Sequence, residues 1–127
     1  MRGTIAALML TVLGAAGAGA EGLPTRVGQC VETTIKIVGE RLEDGANKQV
    51  PGSGSSVSFA NGGSQVSYEQ IAAVDTSRPG DPVKMCLVSI PRHCPPGDDR
   101  GREYKTTNLR THKSWRLPDS EHMCGGA

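Results

Sequence analysis

Histidine and cysteine residues form two close pairs in the C-terminal third of the sequence. His93 directly precedes Cys94, and one residue separates His122 from Cys124. If the two segments met, zinc would accept their nitrogen and sulfur atoms, and cuprous copper would favour the thiolates. The spacing is not that of a zinc finger or ribbon, because seven residues separate Cys86 from Cys94. A metal site at His93 and His122 is therefore an alternative, and we predict no metal or other cofactor.

The first residues of the chain predict export, which decides the redox state of the cysteines. Arg2 precedes a short apolar run, and residues 16–20 form cleavage sites of the Ala-x-Ala kind. The apolar run is much shorter than the ~20 residues of a membrane-spanning helix. We predict a signal peptide over residues 1–20, cleaved near Ala20. Residues 21–127 would be one small domain with a loop-rich C-terminal tail, in the periplasm or secreted.

The four cysteines of this exported domain favour two disulfide bonds over a metal site. Cys30 opens the first predicted strand and Cys86 lies in the most apolar one, so a bond between them would join neighbouring strands. Cys94 and Cys124 lie in predicted loops, where a bond would hold the end of the chain. We favour Cys30–Cys86 and Cys94–Cys124, and the alternative pairing of Cys86 with Cys94 and Cys30 with Cys124 stays open.

Alternation of apolar and polar residues, which is typical of strands, begins directly after Cys30. The first strand would place its apolar and β-branched residues on one face, namely Val31, Thr33, Ile35 and Ile37. Residues 83–90 are almost all apolar and predict a central strand that is buried on both faces. Residues 102–108 and 114–118 predict two further strands, which residues 109–113 join as a hairpin.

The sequence Asn61-Gly62-Gly63 predicts another hairpin, because Asn-Gly readily adopts the positive φ angles of tight turns. Val57 and Phe59 would share one face of the strand before it. Val66 and Tyr68 would share one face of the strand after it. Together these elements predict an all-β fold, a small barrel or sandwich of five to six short antiparallel strands stapled by two disulfides.

Composition and motifs favour neither nucleic-acid binding nor catalysis. Removal of Arg2 leaves 13 basic and 13 acidic residues, so the mature chain carries no net charge. A neutral domain is a poor general ligand for nucleic acid. Asp119, Ser120 and His122 are close in sequence, but no G-x-S-x-G motif accompanies them. We predict no enzyme and no catalytic residue, with a small hydrolase as the weakest alternative.

Positive charge is concentrated between residues 92 and 116, where seven basic residues outnumber three acidic ones. The tip of the predicted hairpin would display its basic residues, as binding loops often do. Few aromatic residues are present, which favours a protein over a sugar as the partner. We predict a surface that docks an acidic protein or another anionic envelope component. Its candidate residues are Arg100, Arg102, Arg110, His112, Lys113 and Trp115.

The C-terminal part of the chain resembles small exported proteobacterial proteins of unassigned function, and the similarity extends over most of the mature chain. The resemblance is carried by GDPVKMCLVSIPRHCPPGDDRGREYKTTNLRTHKSWRLPDSEHMCGGA. It implies a bacterial periplasmic location but no activity and no site residues. Separately, and by analogy of architecture alone, periplasmic inhibitors of lysozymes and proteases are also small, disulfide-stapled β-proteins. We therefore expect a non-enzymatic binding module, either an inhibitor or an envelope-associated protein.

Overall fold

The computed structural model describes residues 22–126, so the predicted signal peptide and its cleavage point lie outside the described residues. Antiparallel strands form one curled half-barrel sheet, in the order β3-β2-β1-β4-β5-β6. The strands are β1 Cys30–Glu40, β2 Ser55–Phe59, β3 Ser64–Val66, β4 Pro82–Ser89, β5 Glu103–Asn108 and β6 Ser114–Pro118. One helical turn, α1 Ala72–Asp75, lies between β3 and β4. The predicted all-β fold is confirmed.

One face of the sheet forms the core, and the other faces solvent. On β4 the inward residues Val83, Met85 and Leu87 are buried, whereas Lys84 is exposed and Cys86 is only partly buried. This is the period-2 alternation of a strand that is covered on one side. The prediction that residues 83–90 are buried on both faces is wrong, because no second layer covers the outer face of β4 in the part of the chain that the structure describes.

A β-bulge changes which residues of β1 face inward. Ile35 pairs with Phe59, but Ile37 pairs with Ser58, so β1 holds one extra residue at this point. The extra residue reverses the alternation of the strand beyond it. Val38 packs against the core, whereas 58% of Ile37 is exposed. The prediction that Ile37 shares the face of Val31 and Ile35 is therefore wrong.

The β2–β3 hairpin forms at the predicted turn, with Gly62 at φ 88°. Val57 and Phe59 are buried on β2, as predicted. On β3 the buried residue is Gln65, while Val66 is half-buried and Tyr68, beyond the end of the strand, is 57% exposed. An amide therefore takes the core position on β3.

The side chain of Gln65 joins the two edges of the curled sheet. Its Nε2 donates to the main-chain oxygens of Tyr104 at 2.8 Å and Leu117 at 3.0 Å. Its Oε1 accepts hydrogen bonds from Thr106 Oγ1 at 2.7 Å and Trp115 Nε1 at 2.8 Å. All four hydrogen-bonding positions of the amide are used. The edge strand β3 is thus tied to β5 and β6 through one side chain.

The two disulfides are Cys30–Cys86 and Cys94–Cys124, which confirms the favoured pairing. Cys30 and Cys86 are direct partners in the β1–β4 ladder. Cys94 lies in the loop between β4 and β5, and Cys124 lies in the tail after β6. One bond therefore joins the adjacent strands β1 and β4, and the other holds the end of the chain.

Candidate functional site

Arg110 is exposed on the β5–β6 hairpin, and its guanidinium is also bound to a buried carboxylate. Its Nε and Nη2 donate to Asp81 at 2.7 and 3.0 Å, and Nη2 also reaches the main-chain oxygen of Thr76 at 3.2 Å. Asn108 Nδ2 donates to the same carboxylate at 2.9 Å. The Arg110 guanidinium, above all, holds the pKa of Asp81 well below its ordinary value, although burial opposes the shift. Arg110 therefore anchors the hairpin tip to the loop before β4.

Arg100 has a similar structural role at the other end of the hairpin. Its Nε and Nη2 both lie 2.9 Å from the carboxylate of Asp98, and Nη2 donates to Gly126 O at 3.0 Å. Asp98 also accepts the main-chain N–H of Gly125 at 2.9 Å. Arg100 is the main cause of the lowered pKa of Asp98. The pair holds the tail that carries Cys124.

Trp115 and Tyr104 do not lie on the outer surface. Trp115 is 5% exposed and Tyr104 is 3% exposed, so the prediction that Trp115 belongs to the docking surface is corrected. Burial is the main reason why the pKa of Tyr104 is raised. The pKa of Asp119 is also raised, chiefly by burial, although Gly101 N–H donates to it at 2.8 Å. Arg102 is half-buried beside these groups, away from the hairpin tip.

Exposed cations of the β4–β6 region lie on the outer face of the sheet, at the hairpin tip and, at Arg92, in the loop between β4 and β5. Lys84 and Lys105 point outward from the neighbouring strands β4 and β5. They are diagonal neighbours on one face, because Lys84 pairs with Thr107 whereas Lys105 pairs with Cys86. Such diagonal neighbours lie within reach of one ligand group. Lys113 is exposed beside His112 at the tip. Within residues 22–126 none of these three lysines forms an ion pair.

Arg116 lies on the same outer face but is paired, with Nη2 2.7 Å from Glu103 Oε2. We call the surface formed by Lys84, Lys105, Lys113 and Arg116 the basic face. Sequence analysis included Lys113 as a candidate and did not include Lys84 or Lys105. The alternation around each lysine was the available signal, but only the β4–β5 register brings the two together.

Charge is divided between the two halves of the sheet. Residues 82–118, which contain β4 to β6, hold eight basic and three acidic residues. Residues 30–76, which contain β1 to α1, hold six acidic and three basic residues. Positive charge thus dominates the segment with β4 to β6, and negative charge dominates the segment with β1 to α1. Such a separation orients an approaching charged partner.

The metal alternative loses its sulfur ligands, because all four cysteines are in disulfides. His93 and His122 are both exposed, in the loop and the tail that the second disulfide joins. Among residues 22–126 no group of three or more His, Cys, Asp or Glu side chains could hold a metal ion.

No helix in the described range, residues 22–126, is long and apolar enough to cross a membrane.

Comparisons of the chain with protein-family models, curated proteins and solved structures found no match. The function must therefore be inferred from the geometry and charge of the chain itself.

Proposed function

We propose that the protein is an exported, non-enzymatic binding domain that docks an acidic protein on the basic face. The observation that carries the proposal is the set of ammonium groups of Lys84, Lys105 and Lys113, which form no ion pair within residues 22–126, although Glu32 lies opposite Lys84 in the β1–β4 ladder. Complementary charge raises association rates and selects partners more than it raises affinity. An acidic surface would meet these cations without first breaking an ion pair within the domain.

The contacts around the basic face support a preformed docking surface. Arg110 and Asp81 fix one end of the β5–β6 hairpin, and Arg100 and Asp98 fix the tail at the other. A surface that is already ordered loses less conformational entropy when it binds. The two disulfides fit an extracytoplasmic compartment, where such bonds persist. An envelope protein with an acidic surface is thus the partner class that we infer.

Photo-cross-linking from the basic face would test the proposal. A photoreactive amino acid at Ser114, exposed on β6, should capture an acidic protein in cells that export this domain. The same residue at Lys48, exposed on the acidic half, is the positional control. Mass spectrometry of the adduct identifies the partner. No adduct from Ser114, or the same adduct from both positions, would contradict the proposal.

Purified partner then allows a test of the charges themselves. The double variant Lys84→Gln/Lys105→Gln should weaken binding about tenfold and reduce its salt dependence. The matched control Lys36→Gln/Lys48→Gln removes the same charge from the other half and should change binding less than about twofold. Equal effects of the two double variants would show that only net charge matters and that the basic face is not the docking surface.

A further inference from the structure

The Cys30–Cys86 disulfide lies on the outer face of the sheet. Val31 and Met85, the next residues along each strand, point into the core, so the two cysteines point outward. Cys30 is exposed and Cys86 is partly buried. The flanking Leu87 N–H donates to Gln29 O at 3.0 Å, which makes the cysteines a non-hydrogen-bonded pair of the ladder. Cys30 is therefore the more exposed cysteine of this disulfide.

The charges near this bond favour its cleavage in one direction. Lys105 is the direct neighbour of Cys86 on β5, whereas Lys84, two residues before Cys86 on the same face, has the carboxylate residue Glu32 as its direct partner on β1. Nearby ammonium groups lower the pKa of a thiol. A thiol of lower pKa is a better leaving group in disulfide exchange. Cys86 is thus the sulfur that leaves as a thiolate, and Cys30 is the sulfur that is attacked.

The Cys94–Cys124 bond has different surroundings. Both of its cysteines are partly buried, and Cys124 N–H donates to Arg100 O at 2.9 Å. The carboxylate of Asp98 accepts the N–H of the next residue, Gly125, at 2.9 Å. Because Asp98 is paired with Arg100, its charge is largely balanced, and it is the tail contacts that restrict the approach of a thiolate to this bond.

We propose that Cys30–Cys86 is a thiol–disulfide exchange site for a dithiol, whereas Cys94–Cys124 is a structural bond. One thiolate of the dithiol forms a bond to Sγ of Cys30, and the Cys30–Cys86 bond breaks with its electron pair on Sγ of Cys86. The second thiolate of the dithiol then attacks the dithiol sulfur that is bonded to Cys30. This attack forms the disulfide of the oxidised dithiol and releases the Cys30 thiolate. The dithiol is oxidised to a disulfide, and the two cysteines are reduced by two electrons.

The sheet can survive this opening because hydrogen bonds also join β1 to β4. One such bond lies at each end of the β1–β4 ladder. Leu87 N–H donates to Gln29 O at 3.0 Å, and Ile35 N–H donates to Asp81 O at 2.9 Å. The core residues beneath it do not contact solvent. Opening of the disulfide would thus change the chemistry of the outer face and leave the half-barrel folded.

Reduction kinetics of the purified oxidised protein would test the proposal without any partner, so its failure is distinct from failure of the proposed docking function. The probe is dithiothreitol, with acid quench, alkylation by N-ethylmaleimide and peptide mass spectrometry. Cys30–Cys86 should open at least about tenfold faster than Cys94–Cys124. Far-UV circular dichroism should not change during the faster phase. Simultaneous opening, faster opening of Cys94–Cys124, or loss of the β-sheet signal in the first phase would overturn the proposal.

Two further readouts test the direction of attack. Limiting glutathione should form its first adduct on Cys30, and an adduct on Cys86 would refute the assignment of the leaving sulfur. Lys105→Gln should slow opening of Cys30–Cys86 about threefold and leave the other disulfide unaffected. Lys48→Gln, a charge-matched change at an exposed loop residue, should change neither rate. Equal effects of the two variants would show that Lys105 does not assist the departure of Cys86.

Discussion

Replacement of Gln65 by leucine should reveal how much of the stability of the half-barrel depends on one amide. The side chain is 1% exposed and makes four hydrogen bonds, to two main-chain oxygens and to the side chains of Thr106 and Trp115. Leucine has a similar size but would leave Thr106 Oγ1 and Trp115 Nε1 without partners, whereas the oxygens of Tyr104 and Leu117 keep their partners in the β5–β6 ladder. Each buried polar group without a partner costs about 1–3 kcal/mol. We therefore expect the free energy of unfolding to fall by about 2–6 kcal/mol.

Such a loss is large, since the total stability of a small domain is about 5–15 kcal/mol. The assay is equilibrium unfolding in urea with both disulfides intact, followed by far-UV circular dichroism. Trp115 fluorescence is unsuitable because its indole is one of the released partners. Gln70→Leu is the matched control, since Gln70 is exposed and its contacts with Ser55 and Asp75 are 3.4 and 3.5 Å long. A Gln65→Leu variant within about 1 kcal/mol of this control would refute the reasoning.

The variant Gln65→Glu separates hydrogen bonding from volume. A carboxylate at this position has no N–H to donate to the oxygens of Tyr104 and Leu117. Burial would raise the pKa of the new carboxyl, and only its protonated form can donate one hydrogen bond. The stability of Gln65→Glu, relative to the unsubstituted protein, should therefore increase as the pH falls. A difference that does not depend on pH would show that the buried amide is not required as a donor.

Two further titratable groups give predictions with a defined sign. Because Arg110 lowers the pKa of Asp81, the ionised carboxylate stabilises the fold above the unfolded-state pKa of about 4, and this stabilisation is lost as the pH falls below it. Asp81→Asn should thus be less stable than the unsubstituted protein at neutral pH, and thermal unfolding should show the difference shrinking below about pH 4; a constant difference would contradict the pairing. Burial raises the pKa of Tyr104, so ultraviolet titration of the Tyr68→Phe variant should show phenol ionisation only above about pH 10. Ionisation below that pH would place Tyr104 outside the core.

Strand positions could be predicted from the sequence because the relevant signals are local. Alternation marks the inward residues at the start of β1, an apolar run marks the position of β4, and Asn61-Gly62-Gly63 provides the turn that β2 and β3 need. The bulge in β1 could not be predicted in this way, because its cause is the pairing of β1 with β2. Nothing in the residues near Ile37 indicates that one of them has no partner in the ladder.

The roles of individual cations could not be predicted because they depend on distant residues. Arg110 meets Asp81, which is 29 residues away in the chain, and so becomes part of the framework. Lys84 and Lys105 come together only through the β4–β5 register. Charge counting thus found the more positive segment of the chain but could not separate structural guanidiniums from ammonium groups that form no ion pair. Gln65 was missed for the same reason, since all its partners lie beyond residue 100.

The two disulfides differ in what the fold would lose without them. β3 is an edge strand of three residues, and the tail after β6 lies across a groove from it. Arg41 Nη1 forms an ion pair with Glu121 Oε1 of this tail at 2.7 Å, and Tyr68 Oη donates to Glu121 O at 3.1 Å. Short length and a covering segment are two ways in which proteins prevent edge strands from pairing with other chains. Cys94–Cys124 anchors that covering tail, whereas the ladder already joins the strands that carry Cys30–Cys86. The structural need is therefore greater for the tail bond, which leaves the bond on the basic face free to take part in exchange.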